Sequence, residues 1–138
     1  MTAKKNHTSA SSLLFVALLL LVSLPRPLCA GEPLVGGQYL SAAGQDIQLL
    51  VTVSSPAPST LIVIQNLPPG TVIDAASPAF NQYDAGKGEV KWLLTHVNSG
   101  RYTVSLRLQR PVVSGGISGD IRYKDPGSGR MINLRVRP

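Results

Sequence analysis

Apolar side chains recur at every second position through most of the chain after residue 45. Between residues 46 and 55 every second residue, from Ile47 to Val53, is a branched aliphatic, and the same period of two returns around Trp92. This period is typical of β-strands that bury one face, because a slip of one residue would bury the polar side chains instead. No window after residue 30 holds a convincing amphipathic helix. The pattern therefore predicts an all-β domain.

Turn-forming residues divide this pattern into eight predicted strands. The predicted strands are 34–40, 46–55, 59–67, 71–76, 88–97, 101–110, 116–124 and 130–137. Residues 61–64 form a continuous apolar run, which is typical of a strand with both faces partly covered. Residues 74–80 are ambiguous and fit either a short strand or an irregular crossover. The Gly-containing segments 84–88, 98–100 and 125–129 have the composition of hairpin connections.

A domain of this size with about seven to eight strands and two facing apolar surfaces predicts a single antiparallel immunoglobulin-like β-sandwich. A closed small barrel or a jelly roll is the alternative. We expect Trp92 to be the central core residue, in the place of the disulfide that secreted immunoglobulin domains often carry.

The first thirty residues have the features of a secretory signal peptide. Lys4 and Lys5 precede an unbroken apolar run, 13–22, which is too short for a membrane-spanning helix. We expect cleavage after Ala30, which leaves 31–138 as the exported domain in the periplasm or outside the cell. Lipid attachment at Cys29 is disfavoured, because Arg26, Pro27 and Leu28 precede it in place of small residues. We expect no transmembrane span after cleavage.

Charge and cysteine content narrow the function classes. The formal net charge is +6, but three of the thirteen basic residues and no acid lie in 1–30, which leaves +3 for 31–138. This modest excess does not predict nucleic-acid binding. The only cysteine is Cys29, so neither a disulfide framework nor a Cys-rich zinc site is expected.

An ordered series of motifs between residues 46 and 125 resembles the conserved-repeat, immunoglobulin-like domains of bacterial and archaeal surface proteins. The residues that carry the resemblance are Pro68-Pro69-Gly70, Ala76-Ser77-Pro78, Tyr83, Gly88-Glu89-Val90-Lys91-Trp92-Leu93, Gly100 and Tyr102-Thr103-Val104. The resemblance implies a role in adhesion or in envelope assembly. The chain departs from those tandem proteins in having one copy and no wall anchor, which favours a small secreted or periplasmic partner protein. The chain is also similar to cohesin-type sandwiches, which bind partner modules on a sheet face.

The residues after position 30 offer no set of groups for catalysis. His96 is the only histidine there, and the Gly-x-Ser-x-Gly motif is absent. The seven acids show no calcium-loop spacing, and Asp120 is expected to form a cross-strand ion pair. We therefore expect no catalytic residue, cofactor or metal site, and His96 is interpreted as a strand-end surface residue.

Basic residues at outward positions of the last three predicted strands suggest a docking face. They are Arg101, Arg107, Arg122, Lys124, Arg135 and Arg137. If these strands are neighbours, one sheet carries a basic face for an acidic partner, an anionic polysaccharide or a lipid headgroup. A solvated face that keeps the protein soluble is the alternative.

Three functions are compatible with these features. The preferred one is an exported, non-enzymatic module that binds or assembles with envelope or extracellular proteins, including further copies of itself through the glycine-containing strand 34–40. A carbohydrate-binding module is the second, and it requires exposed aromatic rings and an exposed Trp92. An enzyme is the third, and it lacks a candidate set of catalytic groups.

Overall fold

Nine β-strands make up most of the part of the chain that the computed structural model describes, residues 32–138. The strands are β1 (Val35–Ser41), β2 (Gly44–Val53), β3 (Thr60–Asn66), β4 (Ile73–Ser77), β5 (Gln82–Asp84), β6 (Glu89–Thr95), β7 (Gly100–Val112), β8 (Ser118–Lys124) and β9 (Met131–Val136). One 3₁₀ turn, Ser114–Gly116, is the only helical element in residues 32–138. The predicted signal peptide, its cleavage site and Cys29 lie outside the described residues.

The strands form two antiparallel sheets. Sheet A has the order β1-β2-β7-β4, and sheet B has the order β5-β6-β3-β8-β9. Two separate sheets with free edges make a β-sandwich, so the alternative of a closed barrel is wrong. Sequential strands pair within a sheet only at β1–β2, β5–β6 and β8–β9 of the described strands, and the other connections cross between the sheets.

One hydrophobic core lies between the sheets. Alternate residues of β2, β3, β6, β7 and β8 face it, and the period of two in the sequence follows from this burial. Trp92 is 1% exposed, and its indole Nε1 donates a hydrogen bond to the Pro78 carbonyl at 2.9 Å. Because the polar end of the ring is satisfied, the tryptophan contributes its whole apolar surface to the core.

Two glycines are required by close approach of the backbone. A Cβ atom on Gly37 of β1 would lie 2.5 Å from Val136 Cγ2 and 2.7 Å from Ile121 Cδ1, so the missing side chain lets β1 pack against β8 and β9. Gly88 has φ 71°, and a Cβ there would lie 2.0 Å from the Leu67 carbonyl oxygen. Only glycine fits this position of the β5–β6 turn.

Each of the eight predicted strands has a counterpart, but β5 was not predicted. Its three residues are too few to show a period. The interpretation of 98–100 as a hairpin connection is also wrong, because this turn carries the chain from β6 in sheet B to β7 in sheet A. The Tyr102 hydroxyl holds the turn by accepting from Asn98 N at 2.9 Å and donating to Asn98 O at 3.0 Å.

Residues 32–138 contain no helical segment with the length and hydropathy that crossing a lipid bilayer requires.

Candidate functional site

The six basic residues that the sequence suggested as one docking face lie on two different sheets. Arg101 and Arg107 are on β7 in sheet A, whereas Arg122, Lys124 and Arg135 are on sheet B and Arg137 directly follows β9. The prediction of a single basic face is therefore wrong. It assumed that the last three strands are neighbours, but the chain changes sheets between β7 and β8.

The two arginines of sheet A are dispersed and partly neutralised. Arg107 lies 3.8 Å from the Asp46 carboxylate, its near neighbour on β2. Arg101 is exposed opposite Thr52. The outer face of this sheet carries mainly small hydroxyl and amide side chains, such as Gln48, Thr103 and Ser105, and offers no concentrated charge.

The outer face of sheet B is different, because apolar residues occupy its centre. We call this surface the B face and define it by the outward residues of β6, β3, β8 and β9. The register places Leu93, Ile62, Arg122 and Asn133 side by side in one row across four strands. The next row contains Lys91, Ile64, Asp120 and Arg135.

The apolar centre of the B face is partly solvent-accessible. Leu93 is 47% exposed and Ile62 is half-buried. Ile64 is only 3% exposed, yet it does not belong to the core cluster between the sheets. At the rim, Met131 is 63% exposed. An apolar centre of this kind is unusual on the solvent side of a sheet, where polar residues normally alternate with the buried ones.

A carboxylate holds the polar side of the B face in place. Asp120 is 7% exposed and accepts hydrogen bonds from Arg135 Nε at 3.1 Å, Arg135 Nη2 at 3.4 Å and Asn66 Nδ2 at 3.0 Å. The expected cross-strand ion pair of Asp120 is thus confirmed, and its partner is Arg135. The hydrogen bonds that Arg135 donates to Asp120 raise the pKa of Arg135 above its ordinary value, and the negative charge of the carboxylate adds to this effect.

This polar cluster continues into the core. Gln65 is 1% exposed, and its Nε2 donates to the carbonyls of Asn66 and Ser118 at 3.1 Å each. The Tyr39 hydroxyl of β1 donates to Gln65 Oε1 at 2.9 Å. Burial, with a smaller contribution from the charge of Asp120, raises the pKa of Tyr39 to about 12. Side chains from β1, β3 and β8 therefore fix the B face from behind.

The remaining charges divide the B face into two halves. Both acidic residues near β5 and β6 form an ion pair with a lysine. Asp84 lies 3.6 Å from Lys87, and Glu89 lies 3.5 Å from Lys91. On β8, Arg122 and Lys124 are exposed and make no ion pair with any residue in 32–138. The half formed by β8 and β9 is consequently positive, and the other half is neutral.

Other functional groups are scattered. His96 is exposed in the β6–β7 turn with φ 56°. No group of three or more potential metal ligands occurs in the described region. None of the aromatic rings in that region is exposed either, since Trp92 and Tyr123 are buried and Tyr39, Phe80, Tyr83 and Tyr102 are half-buried.

Sequence reasoning missed the apolar centre of the B face, although a signal for it existed. The continuous apolar run 61–64 predicts a strand with both faces partly covered, and Ile62 and Ile64 are its outward members. Leu93 interrupts the polar positions of β6 in the same way. The local pattern did not reveal that these residues lie beside the cations of β8.

No family model matches this chain, and the search of curated proteins finds no significant similarity. Function is therefore inferred from the surface itself.

Proposed function

We propose that the protein is an exported, non-enzymatic β-sandwich module that binds another protein through the B face. The observation that carries the proposal is the accessible apolar centre of that face, Leu93 and Ile62, with Ile64 buried beside them on the same side of sheet B. Protein interfaces combine an apolar centre with a polar rim and are enriched in arginine and methionine. The B face has this composition, with Arg122 beside the centre and Met131 at the rim.

Rigidity of the surface also supports a binding role. The side chains behind the B face are held by hydrogen bonds from Asp120 through Asn66 to Gln65 and Tyr39. The B face is therefore ordered before a partner arrives, and it loses less conformational entropy on binding than mobile loops would.

The strand order is compatible with the proposed immunoglobulin-like type. The order β1-β2-β7-β4 follows the A-B-E-D order of immunoglobulin domains, and β3-β8-β9 follows the C-F-G order. The chain differs from that order in two extra strands. In the sequence, β5 and β6 lie between the strands at positions D and E, and in space they extend sheet B beyond β3. The proposed kinship with conserved-repeat or cohesin-type sandwiches rests on this order and on the sequence motifs.

We prefer protein binding to carbohydrate binding because the B face has no aromatic platform among its described residues. Stacking on sugars requires an exposed ring, whereas Trp92 faces the core and its Nε1 is engaged by Pro78. The B face instead presents aliphatic side chains beside arginine, which suits a polypeptide.

A site-specific photocross-linker tests the proposal in the cells that make the protein. It is introduced into the full chain at Leu93, which is 47% exposed on sheet B, and separately at Leu40, which is 55% exposed on β1 of sheet A. We expect a discrete protein adduct from position 93 and none from position 40. Equal labelling from the two positions, or no adduct from position 93, contradicts the proposal.

A further inference from the structure

The positive charge of the B face is confined to its β8–β9 half. Arg122, Lys124 and Arg135 point outward there, and Arg137 follows at the end of β9. The only outward acid on these two strands is Asp120, which is 7% exposed and already bound by Arg135 and Asn66. A molecule that approaches this half therefore meets cations and no accessible carboxylate from either strand.

Two of the three outward cations on these strands are free of ion pairs in the described part of the chain, and the third, Arg135, is only partly engaged by Asp120. Arg122 and Lys124 make no ion pair within residues 32–138. The Arg135 side chain remains 58% exposed although Nε and Nη2 contact Asp120. Guanidinium groups beside an apolar surface are suited to carboxylates, because the planar donors bind both oxygens.

A recess extends the positive half beyond the strands. Its volume is about 460 Å³, and its lining includes Ser118, Arg135 and Arg137. The 3₁₀ turn Ser114–Gly116 also lines the recess and contributes no charged side chain. Both charged side chains that line the recess are arginines, so the recess can accommodate an acidic side chain at the end of a bound segment.

We infer that the partner segment bound on the B face is acidic, with an apolar side chain against Leu93 and Ile62 and carboxylates against Arg122, Lys124 and Arg135. The inference rests on the proposed function and adds the chemistry of the partner. A second copy of this chain is a poor occupant. Stacking two B faces sets a positive half against a neutral or a positive half, since Asp84 and Glu89 are already paired with lysines.

The test combines the cross-linker at Leu93 with charge reversal. The double variant Arg122→Glu, Lys124→Glu removes the exposed cations of β8. The matched control, Arg101→Glu with Arg110→Glu, makes the same change of charge at two exposed arginines of β7 that make no ion pair with any described residue. Because all four residues are exposed and make no ion pair within 32–138, we expect unchanged melting temperatures.

We expect the yield of the position-93 adduct to fall at least about tenfold in the β8 double variant and to stay unchanged in the control. Mass spectrometry of the wild-type adduct is expected to identify a segment with net negative charge. An undiminished yield, an equal loss in the control, or a neutral or basic cross-linked segment overturns the inference, while the adduct itself still supports the proposed function.

Anionic polymers and membranes are separate outcomes of the same variants. Protein purified in the processed form that the cells export is applied to heparin and to vesicles of equal parts phosphatidylglycerol and phosphatidylcholine. Retention that depends on Arg122 and Lys124, in a protein that gives no adduct at position 93, overturns both the inference and the proposed function.

Discussion

Substituting alanine for Gly37 tests the packing of the two sheets. The added Cβ lies 2.5 Å from Val136 Cγ2 and 2.7 Å from Ile121 Cδ1. Val136 is 6% exposed and Ile121 is fully buried, so both side chains belong to the packed core. To admit the new methyl group, either these side chains or β1 itself must shift, and both changes disturb the packing of β1 against β8 and β9.

The neighbouring glycine provides the matched control. Gly36 points to the other side of β1, and a Cβ there meets nothing within 4 Å. Its replacement by alanine only restricts the unfolded chain, which stabilises by about 0.4–1 kcal/mol. The two substitutions are chemically identical and differ only in which side of the strand they occupy.

Overpacking of a core costs about 1–3 kcal/mol, and the restriction of the unfolded chain offsets part of it. We therefore expect Gly37→Ala to lower the free energy of unfolding by about 1–2 kcal/mol. For a domain of this size that corresponds to a fall in melting temperature on the order of 10 °C.

Urea unfolding followed by the fluorescence of Trp92, the only tryptophan, measures this difference. We expect a lower midpoint for Gly37→Ala at an unchanged m-value, and an equal or higher midpoint for Gly36→Ala. If Gly37→Ala is neutral, or if Gly36→Ala is the more damaging variant, then β1 does not have the register described.

Three further predictions concern hydroxyl and carboxyl groups. Tyr102→Phe removes both hydrogen bonds to Asn98, and we expect it to cost about 1 kcal/mol in urea unfolding, whereas an unchanged midpoint would show that the β6–β7 turn does not depend on them. The raised pKa of Tyr39 gives stabilisation that is present below pH 10 and lost as the pH rises through about 12, so the dependence of unfolding free energy on pH in that range should become weaker in Tyr39→Phe, and an unchanged dependence would contradict the burial of this hydroxyl. Hydrogen bonds from the side chain and backbone of Ser128 lower the pKa of Asp125, and their stabilisation is present above the ordinary value of 3.8 and lost as the pH falls through the lower folded value. Carboxyl NMR titration of Ser128→Ala should therefore show a higher pKa for Asp125, and an unaltered one would contradict the role of Ser128.

The strands were predictable from the sequence because burial on one side of a strand leaves a local trace. Ile47 to Val53 alternate for a reason that the structure makes plain: one side of β2 faces the core. The strand β5 left no such trace, since three residues beginning with Gln82 are too few for a period.

Pairing between strands was not predictable in the same way. The segment 98–100 has the composition of a hairpin turn, yet it carries the chain across the core, because nothing in a short glycine-containing segment specifies which sheet the next strand joins. The docking face predicted from the sequence failed at another such crossing, because the chain changes sheets between β7, which carries Arg101 and Arg107, and β8, which carries Arg122. The apolar run through Ile62 and Ile64 was the more informative signal for the site.

The proposed function places the contact with the partner on the B face, and one affinity measurement tests that placement most directly. The protein identified by the cross-linker at position 93 is titrated against wild-type protein, Leu93→Arg and Leu40→Arg. Both leucines are exposed to a similar degree, at 47% and 55%, so neither change should disturb folding. We predict that Leu93→Arg weakens binding by about a hundredfold, as expected for a residue at the centre of an interface, and that Leu40→Arg leaves the affinity unchanged. Equal affinities for Leu93→Arg and wild type would contradict a binding role for the B face.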